Sequence, residues 1–120
     1  MEISLLTLAF HQPATGPSSV CEGSDVTLQC TVVFTHSNNV SDFEAATWQR
    51  NGTVATQSPN HNSVYNGEVT NLEITNVRLE DDNTVYTCIS SDRNITSSVV
   101  LNVTGNMHTY TVHVNMCVDH

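Results

Sequence analysis

Apolar and polar residues alternate along several short segments of this chain. The clearest segment is 25–32, where Val26, Leu28, Cys30 and Val32 are separated by hydroxyl or amide residues. Side chains of a strand point alternately to its two faces, so this pattern predicts a strand that is buried on one side. By the same criterion we predict further strands at residues 3–10, 18–21, 45–50, 53–57, 63–65, 68–75, 85–91 and 97–104.

Turn-forming residues separate these strands. Asn51-Gly52 predicts a two-residue hairpin turn, because type I′ geometry needs positive φ at both positions, and Asn66-Gly67 predicts a second hairpin turn. Pro13 and Gly16-Pro17 are expected to end the first strand. The polar segments 34–44 and 92–96 are predicted loops. Short strands at such close spacing are typical of an all-β sandwich.

The last sixteen residues extend beyond the region that one sandwich needs. We therefore place one domain at residues 1–104, with its core at 17–104, and treat 105–120 as a C-terminal extension. Within the extension, Tyr110, Val112, Val114 and Met116 alternate with polar residues, which predicts one more strand. That strand either folds back on the domain or begins a following one.

Length and charge narrow the possible functions. A chain of 120 residues has the size of one domain. Its net charge is −9, from 12 acidic residues and 3 arginines with no lysine. Nucleic acids and anionic membranes bind basic surfaces, so neither is an expected partner. The sequence has no apolar run long enough for a transmembrane helix, and we expect no direct membrane contact by this chain.

Cysteines and glycosylation sequons indicate the compartment. None of the four cysteines is in a C-x-x-C pair, which disfavours a zinc site or a thioredoxin-like motif. Asn39, Asn51, Asn94 and Asn102 each begin an N-x-S/T sequon. Together these features predict a secreted protein or the extracellular side of the plasma membrane. Asn102 falls on the strand face opposite Leu101 and Val103, where a glycan has room.

The order Cys30, Trp48, then Asp82-x-x-x-Tyr86-x-Cys88 resembles the core signature of the immunoglobulin superfamily. The segment Glu22–Cys30 and the pair Leu72-x-Ile74 add to the resemblance, which covers residues 17–104. It implies an immunoglobulin-like Greek-key β-sandwich of two antiparallel sheets.

The resemblance also implies a role for each signature residue. Cys30 and Cys88 would form the disulfide between the sheets, and Trp48 would pack on it. Tyr86 would be the tyrosine corner, with its hydroxyl bonded to main chain upstream. Leu72 and Ile74 would enter the core.

Spacing favours one type of immunoglobulin domain. Only 24 residues (72 − 48) separate Trp48 from Leu72, which leaves little room for the extra strands of a variable-type domain. This favours an I-set-like domain. The long segment between Cys30 and Trp48 keeps a V-set domain as the alternative. V-set domains pair the aspartate of this signature with an arginine before strand D; none is there, and Arg78 is expected to pair locally with Asp82.

Enzymatic and metal-binding functions lack a supporting pattern. The six histidines include no H-E-x-x-H pair, and Glu80-Asp81-Asp82 has no arranged set of further oxygen ligands. No G-x-S-x-G motif is present. We therefore expect no catalysis, cofactor or metal. His11, His36 and His61 are predicted solvated loop residues, and the last two are candidate pH-sensitive contacts.

The resemblance implies an extracellular ligand-recognition domain of a cell-surface receptor that binds a protein partner. The alternative is a homophilic adhesion module that binds the same protein on another cell, and a stalk spacer is a third reading. Contacts would come from the loops at one pole or from the exposed sheet that the predicted strands 45–50, 53–57, 85–91 and 97–104 would form. The candidate contact residues are His36, Asp42, Glu44, Asp92 and Arg93. An invertebrate receptor, such as a sponge receptor tyrosine kinase ectodomain, is a further and weaker resemblance.

Cys21 and Cys117 generate the first testable prediction. In the implied fold, the strand that ends at Cys21 runs parallel to the last strand, and Cys117 follows Thr104 by enough residues for a turn and a returning strand. We expect these two cysteines to form an intradomain disulfide. Non-reducing peptide mapping should recover a peptide that links Cys21 to Cys117. A link from Cys21 to any other cysteine, in this chain or another, would end this idea.

Overall fold

A computed structural model of the chain describes residues 6–36 and 45–105. The predicted tail strand lies outside these residues. The described part forms ten strands and two short 3-10 helices, at Ala55–Gln57 and Leu79–Asp81. The strands are β1 (Leu6–Thr15), β2 (Val20–Cys21), β3 (Val26–His36), β4 (Ala46–Arg50), β5 (Thr53–Val54), β6 (His61–Tyr65), β7 (Val69–Ile74), β8 (Thr84–Ser90), β9 (Thr96–Leu101) and β10 (Val103–Thr104). No helix within the described residues is long and apolar enough to span a membrane.

Two antiparallel four-stranded sheets form the sandwich. One sheet has the strand order β1-β3-β7-β6, and the other has the order β5-β4-β8-β9. A short parallel ladder joins β2 to β10 beside them. The structure therefore confirms the prediction of an all-β sandwich with two antiparallel sheets.

The core lies between the sheets and follows the alternating pattern. Val26, Leu28, Cys30 and Val32 of β3 are buried. They face the second sheet, where Trp48 lies beside Cys88 on the paired strands β4 and β8. The full buried apolar set also contains Phe34, Ala45, Ala46, Ala55, Leu72, Ile74, Val77, Tyr86, Leu101 and Val103.

A disulfide and a hydrogen bond connect the two sheets through this core. Cys30 on β3 and Cys88 on β8 are bonded, with their Cα atoms 6.5 Å apart. The Trp48 indole N–H donates to the carbonyl oxygen of Thr70 on β7 at 3.2 Å. Buried indole N–H groups need such a partner, because an unpaired buried donor is costly.

The first and third strands extend further than predicted. Pro13 does not end β1, which continues to Thr15. Proline is tolerated there because β1 is an edge strand and its pairing with β3 shifts register between Gln12 and Thr15. Strand β3 continues to His36 because its last residues pair with the start of β1. The loop predicted at 34–44 therefore begins after His36.

The segment between β4 and β6 contains one short strand and a 3-10 helix. Strand β5 has only two residues, and the 3-10 helix at Ala55–Gln57 follows it directly, with Ala55 buried. The described chain then enters β6 with no additional strand between. The prediction of a strand over all of 53–57 was too long for this reason.

The two predicted hairpin turns differ in their details. Asn51 and Gly52 both have positive φ, of 47° and 90°, as a type I′ turn requires. At the second turn only Gly67 has positive φ. The Asn66 N–H donates to the Val69 carbonyl, so the central residues are Gly67 and Glu68, one position later than predicted.

Truncation of Leu72 should show how far stability depends on this core. Leu72 is 0% exposed, so Leu72→Ala removes packed methyl groups and should lower the free energy of unfolding by about 2–5 kcal/mol. Leu79→Ala is the matched control, because Leu79 is 47% exposed and its truncation should cost less than about 0.5 kcal/mol. Urea unfolding of both variants measures the difference. Equal losses would contradict the placement of the core.

Candidate interaction surface

The turn between β8 and β9 is organised by Asp92. Its carboxylate accepts hydrogen bonds from the Ser90 hydroxyl at 2.6 Å, the Asn94 backbone N–H at 3.0 Å and the Asn94 side-chain amide at 3.2 Å. The Ser90 hydrogen bond, followed by that of the Asn94 backbone, lowers the pKa of Asp92. Asp92 therefore stabilises its own turn. A partner that bound its carboxylate would have to compete with these three hydrogen bonds.

The other predicted contact residues do not join Asp92 in a described cluster. Arg93 is exposed beside it, with a positive φ of 65°. His36 is the last residue of β3 rather than part of a loop. Asp42 and Glu44 lie outside the described residues. The Ser91 N–H donates to the carbonyl of Ala45 at 2.8 Å, so the residue that precedes β4 lies beside the β8–β9 turn.

The outer face of the sheet β5-β4-β8-β9 is a more continuous candidate surface. The register pairs Val85 with Val100, Thr87 with Ser98, and Ile89 with Thr96. Cross-strand partners share a face, and these three pairs point away from the buried residues Tyr86 and Cys88. We call this outer surface the uncharged face; its members are Thr47, Gln49, Val54, Val85, Thr87, Ile89, Thr96, Ser98 and Val100.

The uncharged face contrasts with the rest of the chain. Every charged residue in the described part lies at a turn, in or beside the 3-10 helix Leu79–Asp81, on the opposite sheet or, for Arg50, on the inner side of β4. Val54, Val85 and Val100 on the face are exposed to solvent. Removing such a surface from water needs no ion to be desolvated, and the centres of protein interfaces are depleted in charge.

The sequence contained a signal for this face. Positions 85, 87 and 89, and positions 96, 98 and 100, share strand parity and include no charged residue. The named candidate contact residues lie in the predicted loops or at their ends, although the sheet that contains these strands is also an expected contact surface.

On the inner side of the same sheet, at the end of β8 far from the β8–β9 turn, four polar side chains form a cluster that we call the corner. Its members are His61, Tyr86, Arg50 and Asp81. The Tyr86 hydroxyl is 2.7 Å from Nε2 of His61 on β6. The expected hydrogen bond from Tyr86 to main chain is therefore replaced by one to an imidazole. His61 is 6% exposed and begins a strand, so its prediction as a solvated loop residue was wrong.

An ion pair completes the corner. Arg50 donates to Oδ1 of Asp81 at 2.9 Å, and the Arg78 backbone N–H donates to Oδ2 at 2.9 Å. Asp82 instead accepts the Val103 N–H at 2.7 Å, so the expected pairing of Arg78 with Asp82 was wrong. Arg50 shares strand parity with Trp48, and a charged residue on a buried face requires an opposite charge.

Three of the four sequon asparagines lie on exposed turns or strand ends. The Asn51 side-chain oxygen accepts the Val85 N–H at 2.9 Å, and this leaves its amide nitrogen available for a glycan. The amide nitrogen of Asn94 donates to Asp92, and that of Asn102 donates to the Ser18 carbonyl at 3.1 Å. Asn39 lies outside the described residues.

Cys21 lies beside Thr104, its partner in the parallel ladder between β2 and β10. No cysteine in the described part is a free thiol. Cys117 lies outside the described residues, so its pairing with Cys21 stays a prediction. Within residues 6–36 and 45–105, no three His, Cys, Asp or Glu side chains are grouped as metal ligands.

Comparison with known proteins places this geometry in a family. The family model described as "Immunoglobulin domain" matches residues 11–92. Titin domain I10 superposes with a TM-score of 0.59 and 25% sequence identity, covering 83% of this chain and 99% of that one. No curated protein sequence matches this chain.

Two further solved structures show the same fold. The N-terminal Ig1-2 module of Drosophila receptor protein tyrosine phosphatase DLAR gives a TM-score of 0.60 at 16% identity, covering 82% of this chain. This chain spans 53% of that module. The complex of titin M10 with obscurin-like 1 gives 0.60 at 18% identity, covering 82% of this chain and 100% of that one.

Neutralising Asp81 should weaken the corner. Asp81→Asn keeps the shape but removes the charge that pairs with Arg50, so we expect the free energy of unfolding to fall by about 1–3 kcal/mol. Glu80→Gln is the control, because Glu80 is exposed on the same 3-10 helix and its change should cost less than about 0.5 kcal/mol. Thermal or urea unfolding compares the two. A loss for Glu80→Gln as large as that for Asp81→Asn would refute a specific ion pair.

Proposed function

The chain belongs to the immunoglobulin-domain family, and from this premise we propose that it is an extracellular protein-recognition domain of a cell-surface receptor. The observation that carries the proposal is the uncharged face. Although the chain has a net charge of −9, the described strands of one sheet place no charged side chain on their outer face. Such a surface suits contact with another protein better than contact with a nucleic acid or an anionic membrane.

The face is a better candidate for the central contact than the β8–β9 turn. Asp92 already accepts three hydrogen bonds within that turn, and a partner would have to replace them. The exposed valines of the face lose only water when they are covered. The turn residues Asp92 and Arg93, with His36, Asp42 and Glu44 on the neighbouring segment, are proposed as the rim of the contact.

The extracellular location is supported by the covalent chemistry of the chain. A disulfide joins Cys30 to Cys88, and such bonds persist in oxidising compartments. We propose that Asn39, Asn51, Asn94 and Asn102 carry glycans in that compartment. Asn51 and Asn94 adjoin the ends of β8, so glycans there would border the uncharged face and leave its centre open.

The parent protein is proposed on resemblance alone to be an invertebrate receptor, with a receptor tyrosine kinase as one form. DLAR, which has this fold, is itself a receptor phosphatase by its description. We propose no catalytic role for the chain itself. The domain is proposed to occupy residues 1–104, with 105–120 as an extension pinned by a disulfide between Cys21 and Cys117.

A homophilic adhesion module is the second candidate, and one property of the face favours it. Its hydroxyl and amide side chains, such as those of Thr87, Ser98 and Gln49, both donate and accept hydrogen bonds. A two-fold interface brings the same patch of each copy together, so groups of this kind can pair with themselves, whereas like charges repel. The uncharged face therefore suits a second copy as well as a different protein.

A charge placed on the face tests the proposal. Val85→Glu introduces a carboxylate that binding would have to desolvate, so we expect binding to weaken at least tenfold. Val64→Glu is the matched control, because Val85 and Val64 are both 39% exposed but Val64 lies on the other sheet. The probe is the fluorescent, tetramerised chain, applied to living cells that display candidate partners or the chain itself.

Multi-angle light scattering at high concentration separates the two candidates. Dimers that form with rising concentration, and that Val85→Glu abolishes, support homophilic binding. Monomers that still stain cells support a different partner. Staining and self-association that both variants retain at the level of the unmodified chain would overturn the proposal.

A further inference from the structure

We propose that His61 is a pH-dependent latch. Its neutral ring joins the two sheets by accepting a hydrogen bond from the Tyr86 hydroxyl, and protonation of the ring removes that bond. The proposal concerns the domain itself and does not depend on which partner it binds. The latch residues are on different sheets, since His61 begins β6 and Tyr86 lies on β8. A bond between them therefore joins the sheets at a further place, besides the disulfide and the hydrogen bond from Trp48 to Thr70.

The hydrogen bonds around His61 determine which of its two ring nitrogens carries the proton when the ring is neutral. The Asn60 side-chain nitrogen donates to the Thr75 carbonyl at 2.6 Å, so its side-chain oxygen faces His61. That oxygen lies 2.9 Å from Nδ1 of His61 and can only accept, so Nδ1 carries a proton. Nε2 of the neutral ring is then an acceptor, and the Tyr86 hydroxyl donates to it at 2.7 Å.

A second proton would make the hydrogen bond from the Tyr86 hydroxyl to Nε2 impossible, and only the reversed bond, from Nε2–H to the hydroxyl oxygen, could replace it. Protonated Nε2 is a donor and can no longer accept from Tyr86. The hydroxyl would have to turn its hydrogen elsewhere, inside a corner where its residue is fully buried. A buried donor without an acceptor is costly, so protonation should separate the two residues rather than leave them in place.

The charged groups around the ring oppose its protonation. Burial is the largest cause that lowers the pKa of His61, and the positive charge of Arg50 on β4 lowers it further. Asp81 on the 3-10 helix acts in the opposite direction, but it is paired with Arg50. Burial also raises the pKa of Tyr86, which keeps that hydroxyl protonated and able to donate.

Protons can reach the ring without global unfolding. His61 lines an open cleft of about 650 Å³ at this corner, together with Arg50, Asp81, Arg78 and Glu80. The remaining lining residues are Ser58, Pro59, Asn60, Thr75 and Asn76. The ring is therefore buried against Tyr86 and still next to solvent, an arrangement that a titratable latch requires.

The direction of the pH effect follows from the lowered pKa. Between the ordinary value of 6.5 and the lower value in the folded chain, the unfolded chain binds more protons. Stability from the latch is therefore complete above pH 6.5 and falls as the pH is lowered through this interval. The folding equilibrium constant should fall about tenfold for each unit by which the folded pKa lies below the ordinary one.

Nuclear magnetic resonance of the unmodified protein tests the latch without any substitution. A titration of the His61 ring should show a pKa below 6.5 and, at neutral pH, the form that is protonated on Nδ1. The Tyr86 ring signals should shift at the same midpoint. A His61 pKa at or above 6.5, or a neutral ring protonated on Nε2, would overturn the proposal.

Unfolding by urea provides the second test, from about pH 7.5 to about pH 5.5, where ordinary carboxylates stay ionised. His61→Gln keeps a polar group that does not titrate, so its stability should change less across this range than that of the unmodified chain. His11→Gln is the control, since His11 is exposed on β1 and should leave the pH dependence unchanged. An identical pH dependence for His61→Gln and the unmodified chain would contradict the latch.

Discussion

The sandwich depends on the inner side of strand β8, where consecutive inward residues are bonded to the opposite sheet. Cys88 is linked covalently to Cys30 on β3, and Tyr86 is hydrogen-bonded to His61 on β6. These two bonds on one strand join sheets that are otherwise held by apolar, non-directional packing and by the hydrogen bond from Trp48 to Thr70. The disulfide also restricts the unfolded chain, by about 4 kcal/mol in the chain-entropy account for a loop of this length. Strand β8 lies at the centre of its sheet and is hydrogen-bonded to both β4 and β9, so these bonds also restrain its two neighbours.

On the same strand, alternate residues have a structural role and a proposed recognition role. Its inward residues fill the core and the corner, whereas Val85, Thr87 and Ile89 face outward on the uncharged face. Because the inner bonds hold the backbone of β8 in place, the outer face is presented on a rigid support. The corner adjoins that face through the backbone of β8 and through Arg50, which is next to Gln49 on β4. The proposed recognition surface and the proposed acid response therefore lie close together but use different side chains.

Much of the fold could be predicted because its signals are local. The spacing of Cys30, Trp48 and Cys88, together with the alternation along β3, indicated the sheets and their buried sides. The length of β1 was not predictable from Pro13 alone, because a proline at an edge strand with shifted register costs no sheet hydrogen bond. The partner of Tyr86 depends on how one sheet stacks over the other, and no local pattern records that. The ion pair of the corner could have been predicted from Arg50. It shares strand parity with Trp48 and so points inward, where a charged side chain needs an opposite charge, and Asp81 supplies it.

Native-state hydrogen exchange tests most directly whether β8 holds the sandwich together. We predict that the amides of β8 exchange only through global unfolding, with a free energy equal to that from denaturant unfolding. The amides of the edge strand β1 should exchange at lower free energies, through local opening. Exchange of β8 at free energies below those of β1 would contradict the central role given to its cross-sheet bonds.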